Sequence, residues 1–137
     1  MKKNNLLSIL ALLFLIVSCT DENDSITETP VPVSGEITGG PFVFCVDGVS
    51  DMVSGITVDN TESEGANSTW LITDAERNIL GLPPTLEALE GVNFDDAGEG
   101  ICLIWYVRFE DGLEGAEVGL NADDLSGDFD LSNSIEV

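Results

Sequence analysis

The sequence predicts an all-β protein: a single Ig-like antiparallel β-sandwich that follows a signal peptide and a disordered tether. Short segments in which apolar and polar residues alternate recur from residue 39 onward, with turn residues between them. Strands at such short spacing favour an antiparallel sandwich over a helical or parallel fold. Residues 39–137 number 137 − 38 = 99, which is the size of one Ig-like domain.

The first eighteen residues are predicted to be a signal peptide. Lys2 and Lys3 precede the twelve-residue apolar run 6–17, "LLSILALLFLIV", which is too short for the roughly 20 residues that span a bilayer. No alanine-type cleavage site follows. Residues 16–19, "IVSC", resemble the bacterial lipobox instead. The resemblance implies a diacylglyceryl group on the Cys19 thiol, cleavage before Cys19 and acylation of the new amino group. The alternative is an ordinary signal peptide with an incidental cysteine.

Residues 19–38 are predicted to be a lipid-anchored acidic linker. Residues 20–38, "TDENDSITETPVPVSGEIT", are polar and acidic, contain two prolines and lack the apolar periodicity of a core element. We therefore expect the folded domain to begin at Gly39 and to span residues 39–137.

Within the domain, each element has a local signal. Alternation predicts strands in 41–47 "PFVFCVD" and 55–59 "GITVD", a hairpin from 68–74 "STWLITD" and 78–83 "NILGLP", a long strand in 101–111 "ICLIWYVRFED" and a last strand in 134–137 "SIEV". Prolines start a helical turn in 83–91 "PPTLEALEG", and Asn121 is a candidate cap for another in 121–127 "NADDLSG".

The long strand has two unequal faces. One face is wholly apolar and is expected to point into the core: Ile101, Leu103, Trp105, Val107 and Phe109. The other face becomes charged and is expected to meet solvent at its far end: Cys102, Ile104, Tyr106, Arg108 and Glu110.

Charge and cysteine content restrict the partners. After cleavage before Cys19 only Arg77 and Arg108 oppose 26 acidic residues, so the formal charge is 2 − 26 = −24. Such a surface repels nucleic acid and anionic headgroups, so membrane attachment must come from the covalent lipid. Cys45 and Cys102 remain in the exported part. They permit one disulfide, and the alternative is two buried thiols.

The residue inventory predicts that the protein is not an enzyme. The chain has no His, and no Lys follows Lys3, so Ser-His-Asp, Ser-Lys, Cys-His and Schiff-base chemistry lack a required group. No glycine-rich phosphate-binding loop is present. Carboxylate pairs remain, but sequence neighbours on a strand point to opposite faces. The neighbouring pairs are Asp95 with Asp96, Glu110 with Asp111 and Asp123 with Asp124.

Two ligand sites are considered. The loop 93–100, "NFDDAGEG", offers four oxygen-bearing side chains for calcium: Asn93, Asp95, Asp96 and Glu99. As an EF-hand loop it fails, because Ala97 and Ile104 occupy ligand positions. Tyr106 shares a face with Arg108 and is the candidate for an exposed aromatic contact with a glycan.

Three stretches resemble an uncharacterised all-β module repeated in surface and secreted proteins of Bacteroidota. They are 39–48 "GGPFVFCVDG", 65–113, which contains "NILGLPP" and "CLIWY", and 121–137, which contains "FDLSN". The resemblance covers about 99 residues and implies an all-β spacer or adhesion-like unit without enzymatic activity. Asp128 stands where the module has a third cysteine, and Arg77 stands where its hairpin turn has Gly.

The predicted function follows from the anchor and the module together. Residues 20–24, "TDEND", resemble the acidic export signal that directs lipoproteins of this group to the outer face of the outer membrane; the alternative is an ordinary acidic linker. We therefore expect a lipid-anchored outer-membrane protein facing the cell exterior, non-enzymatic, with a structural or adhesion-type role and an extracellular protein or glycan as partner. The alternative function is a ligand-binding accessory lipoprotein for calcium or a glycan.

Overall fold

A computed structural model describes residues 30–137. The predicted signal peptide, Cys19 and residues 20–29 of the predicted linker lie outside these described residues. The described chain is built mainly from antiparallel strands with little helix, which confirms the all-β antiparallel class. The strands are β1 (Glu36–Thr38), β2 (Thr57–Asp59), β3 (Asn67–Asp74), β4 (Ile79–Gly81), β5 (Cys102–Phe109), β6 (Phe129–Leu131) and β7 (Ile135–Glu136), with helix α1 (Leu86–Glu90) and 3-10 turns Phe94–Ala97 and Ala122–Asp124.

Strand β5 is the centre of the larger sheet. It pairs with β3 over eight residues, in a register that places Trp70 opposite Tyr106, and with β6 and β7 along its other edge. The order is β4-β3-β5-β6, with β7 also on β5, while β1 and β2 form a separate two-stranded sheet. The predicted strands at 55–59, 68–74, 78–83, 101–111 and 134–137 are thus confirmed in type.

Both faces of the larger sheet are covered, and this corrects the predicted faces of β5. Cys102, Ile104 and Tyr106, expected on the solvent side, are buried against a first core layer that includes Ile37 and Leu89. A second layer buries Leu71, Ile79 and Val107 of the sheet against Ala122 and Leu125. Ile101, expected in the core, is 45% exposed. The prediction was wrong because Ile37 of β1, the buried Val53 and Ile56, and Leu89 of α1 cover the face that was expected to meet solvent.

The folded region begins earlier than residue 39, which corrects the predicted boundary. The amide of Val33 donates to Glu64 O at 2.9 Å and the amide of Glu64 donates back to Val33 O at 3.0 Å. Ser34 is buried, and Ile37 of β1 is 1% exposed. Among the described residues, the first backbone pairing therefore lies six residues before the expected start, because Ile37 supplies a core side chain that the polar sequence around it conceals.

A single asparagine joins β1 to the end of the larger sheet. The Ile37 amide donates to Asn133 Oδ1 at 2.8 Å, and Asn133 Nδ2 donates to Ile37 O at 2.8 Å. The side-chain amide thus satisfies both backbone groups of one strand residue, as a neighbouring strand would. Residues 130 to 133, close to the C-terminal end of the described chain, thereby hold its first strand, and Asp130 Oδ2 adds a bond from the Ser34 amide at 2.9 Å.

The β3–β4 turn contains a non-glycine residue with positive φ. The φ of Arg77 is 67°, which lies in the left-handed region. Its guanidinium carbon lies 5.0 Å from the centre of the Trp105 ring. Arg77 Nε lies 2.9 Å from Asp123 Oδ1, an ion pair without the alignment of a hydrogen bond. These contacts fasten the turn to the 3-10 turn that follows Asn121.

The predicted helical turns form where their caps indicate. Thr85 has extended backbone angles and its hydroxyl accepts from the Ala88 amide at 3.2 Å, which caps α1. Asn121 Oδ1 accepts from the Asp123 amide at 2.9 Å at the start of the second 3-10 turn. Among residues 30–137 no helix has the length and apolarity needed to cross a bilayer.

The predicted strand at 41–47 does not form, which is a correction. Phe42 and Phe44 pack against the first core layer, with ring centres 6.2 Å apart, but the segment has no partner strand. One backbone bond ties it to β7, from the Phe42 amide to Glu136 O at 3.3 Å. The alternating pattern here reflects two aromatic anchors in an irregular segment.

Candidate functional site

The predicted calcium ligands Asn93 and Asp95 serve the backbone instead. Asn93 Oδ1 accepts from the amide of Asp51 at 2.9 Å and from that of Asp95 at 3.2 Å. Asp95 Oδ1 accepts from the amides of Asp47 at 2.9 Å and Gly48 at 3.3 Å. These oxygens therefore hold the 47–51 segment against the 3-10 turn Phe94–Ala97.

The other two predicted ligands diverge. Glu99 lines a cavity together with Asp95, whereas Asp96 lines a separate groove. Within residues 30–137 no group of three or more His, Cys, Asp or Glu side chains is placed to hold a metal ion. The structure thus corrects the calcium prediction: Asn93 caps the 3-10 turn, Asp95 holds the amides of Asp47 and Gly48, and the four side chains are not gathered into one site.

Tyr106 is not exposed, and this corrects the glycan prediction. It is 9% exposed, and its ring centre lies 5.0 Å from that of Trp70 at an angle of 54°. This tilted pair is the usual packing of two aromatic rings in a core. Trp105 on the opposite face is half-buried, and its Nε1 donates to Thr73 Oγ1 at 3.2 Å. The basis for a sugar contact at Tyr106 is therefore lost.

The two cysteines of the described chain line one cavity. Both are free thiols in the structure; Cys45 is exposed and Cys102 is buried. The alternative of two buried thiols is therefore wrong for Cys45. The cavity has a volume of about 270 Å³ and lies between the 41–47 segment and the start of β5; its walls include Phe44, Cys45, Phe94, Asp95, Glu99 and Cys102. Burial, and secondarily the negative charge of Asp74, raises the pKa of the Cys102 thiol.

The carboxyl groups with resolved pKa shifts are held in the ionised form. A hydrogen bond from the Asn78 side chain lowers the pKa of Asp74, and one from the Thr61 side chain lowers that of Asp59. The pKa of Glu87 is lowered chiefly by its own backbone amide and then by Thr85. A general acid requires the opposite shift, towards a raised pKa.

An apolar groove beside β4 is a feature that the sequence did not reveal. Its volume is about 660 Å³, and it runs between β4, α1 and the 3-10 turn Phe94–Ala97. The apolar spacing in 83–91 predicts only that a helical turn forms, because which strand it faces depends on the tertiary fold. The groove is lined by Leu80, Leu82, Ala88, Val92, Phe94 and Ala97, among others.

No family model matches the chain, and no curated protein or solved structure is significantly similar to it. The function is therefore inferred from the sequence, the fold and the contacts of its residues.

Proposed function

We propose that this chain is a lipid-anchored outer-membrane protein, facing the cell exterior, with a non-enzymatic structural or adhesion-type role. The observation that supports the anchor is the sequence "IVSC" at residues 16–19, directly after the apolar run 6–17 and the basic Lys2 and Lys3. Two or more acyl chains on Cys19 would give stable attachment, since each buried CH₂ contributes about 0.8 kcal/mol.

The early start of the fold determines the reach of the tether. Cys19 and Val33 are 33 − 19 = 14 residues apart, and Val33 is the first residue paired with the rest of the domain. At about 3.5 Å per residue, fourteen residues reach at most about 50 Å. The domain thus stays near the membrane surface, within range of a partner at the cell exterior.

Three properties of the residues support a non-enzymatic role. No His is present, and no Lys follows Lys3, so imidazole bases and lysine amine nucleophiles are missing from the exported part. Asp59, Asp74 and Glu87 have pKa values shifted away from those of a general acid. The formal charge of 2 − 26 = −24 disfavours nucleic acid as a partner and leaves an extracellular protein or a glycan.

The anchor is tested by metabolic labelling with a fatty acid that carries a clickable group. Cys19→Ala is expected to lose the label and to accumulate as an uncleaved precursor, whereas Cys45→Ala, a matched change at an exposed cysteine of the domain, should keep the label. With the label measured per molecule of protein, label retained in Cys19→Ala, or lost in Cys45→Ala, would refute the anchor at Cys19.

The exposed location is tested with antibodies against the domain on intact cells. Amine-reactive surface labels are unsuitable, because the exported part has no lysine. Neutralising Asp21, Glu22 and Asp24 to Asn or Gln should retain the fatty-acid label but abolish antibody binding, while Glu28→Gln, outside the "TDEND" run, should leave both unchanged. Undiminished antibody binding after neutralisation would show that the acidic run is only a linker.

A further inference from the structure

We propose that Cys45 and Cys102 form an intramolecular disulfide after export, which fastens the 41–47 segment to the central strand β5. Both side chains line the same cavity of about 270 Å³, one from the irregular segment and the other from the first residue of β5. They are the two cysteines of the exported part that remain after Cys19 is lipidated. The inference rests on the proposed export, since that is what places the chain in an oxidising compartment.

The 41–47 segment can adjust to such a bond because its backbone is weakly held. Phe42 is tied to Glu136 O at 3.3 Å, and the Asp47 amide is held by Asp95 Oδ1 at 2.9 Å. Between these two points, residues 43–46 make no backbone hydrogen bond within the described chain. Val43 is 88% exposed, so Phe44, which packs against the first core layer, is the side chain that holds this stretch in place.

The partner cysteine lies on the most firmly held element. The Cys102 amide donates to Val137 O at 3.0 Å and the Val137 amide donates back at 2.9 Å, while β3 pairs with Cys102 from the other side. A bond between the two sulfurs would therefore join an irregular segment to a rigid strand. Because the bridge spans 102 − 45 = 57 positions, it restricts the unfolded chain strongly.

The exposure of the two thiols suggests an order of reaction. The exposed Cys45 thiolate attacks the disulfide of an exported thiol-disulfide oxidoreductase, which gives a mixed disulfide and frees one thiol of the enzyme. The Cys102 thiolate then attacks the Cys45 sulfur and releases the second thiol. Two thiols of this chain are oxidised, one enzyme disulfide is reduced to a dithiol, and two protons are transferred overall. Burial raises the pKa of the Cys102 thiol, which lowers the fraction of thiolate available for the second step.

The test counts free thiols on the full-length protein taken directly from cells. The protein is trapped in acid, unfolded without reductant and treated with a maleimide that adds a fixed mass per thiol. Zero additions are expected, since Cys19 carries a thioether and the other two cysteines are bridged. Two additions would overturn the disulfide and leave the anchor standing. One addition, mapped to Cys19, would support the disulfide and contradict the anchor; three would overturn both.

Trypsin confirms the pairing. Cleavage after Arg77 and Arg108 places Cys45 and Cys102 in different peptides, so only a disulfide can keep the two peptides together. A joined mass that separates on reduction is expected, and two separate peptides without reduction would overturn the proposal.

Stability gives a second, independent measurement on the detergent-solubilised lipoprotein. Without reductant, Cys45→Ala should lower the melting temperature by at least about 10 °C relative to wild type, because the bridge closes a long loop. With reductant, the two proteins should melt within about 2 °C of each other, because Cys45 is exposed and its thiol contributes little packing. Equal melting temperatures without reductant would contradict the proposal.

Discussion

Asn133 offers the sharpest test of how β1 is attached to the larger sheet. Its side-chain amide makes two bonds of 2.8 Å, accepting from Ile37 N and donating to Ile37 O. The Asn133→Ala variant removes both bonds and changes no apolar contact of the core. Ile37 is 1% exposed, and the change removes the side-chain partner of both of its backbone groups.

The expected cost follows from these two bonds. A net contribution of about 1 kcal/mol for each gives a loss of about 2 kcal/mol in the free energy of unfolding. The loss would be larger if Ile37 N and Ile37 O were inaccessible to water. Asn133 lies at an exposed position, however, so water can partly replace its side chain. For a folded region of 137 − 29 = 108 residues, the melting temperature should fall by about 8 °C.

Thermal unfolding followed by the fluorescence of the buried Trp70 measures this loss. Asn60→Ala is the matched control, because Asn60 is exposed and its side chain makes no hydrogen bond to residues 30–137; its melting temperature should change by less than about 2 °C. Asn133→Asp keeps an acceptor for Ile37 N but turns a carboxylate oxygen towards Ile37 O, so it should be at least as unstable as the alanine variant near neutral pH. A fall of under about 2 °C in Asn133→Ala would refute the bridging role.

Three further outcomes are expected. Arg77→Gly and Arg77→Ala both lose the contacts with Trp105 and Asp123, but only glycine adopts a φ of 67° without strain. Urea titration should therefore find the glycine variant more stable than the alanine variant by about 1 kcal/mol. Equal stabilities would show that the turn is unstrained. Asp74→Asn should flatten the dependence of stability on pH in the acid range. Because the folded pKa of Asp74 is lowered from 3.8, its contribution to stability is complete above that value and disappears as the pH falls through the lowered pKa. Melting temperatures from about pH 5 to about pH 2 that change in parallel for both proteins would exclude this contribution. Raising sodium chloride from about 0.05 M to about 0.5 M should raise the melting temperature by several degrees, since screening weakens repulsion in a chain of formal charge −22. An unchanged value would mean that repulsion does not limit stability.

Local signals predicted the elements well and their surroundings poorly. The strands β3 and β5 were predictable because each has eight residues rich in β-branched and aromatic side chains. Which face of β5 is more deeply buried was not predictable, since Trp105 and Tyr106 are both aromatic. The answer depends on Ile37, Val53, Ile56 and Leu89, which come from other parts of the chain and cover the Tyr106 face.

The candidate site shows a related difficulty. Asn93 and Asn121 each begin the same pattern, an asparagine followed two and three residues later by aspartates, and both cap a 3-10 turn. Their side-chain oxygens accept from the amide two residues ahead, which is the usual role of a capping asparagine. The pattern could have identified Asn93 as a cap rather than a calcium ligand. That Asp95 would also hold Asp47 and Gly48 could not be read from the sequence, because these residues meet only in the fold.

The early and late strands of the described chain meet, and this has a consequence for the order of folding. Ser34 and Ile37 find partners in Asp130 and Asn133, 96 positions further on, while β5 receives β6 and β7 only after residue 128. Contacts of such long range form slowly and cannot form while the chain is still being synthesised from its N-terminal end. A nascent chain would thus lack the strands that close the larger sheet until residues 129–136 had emerged. Local contacts such as the β3–β4 pairing can form earlier, so the closing of the sheet would be the late step of folding.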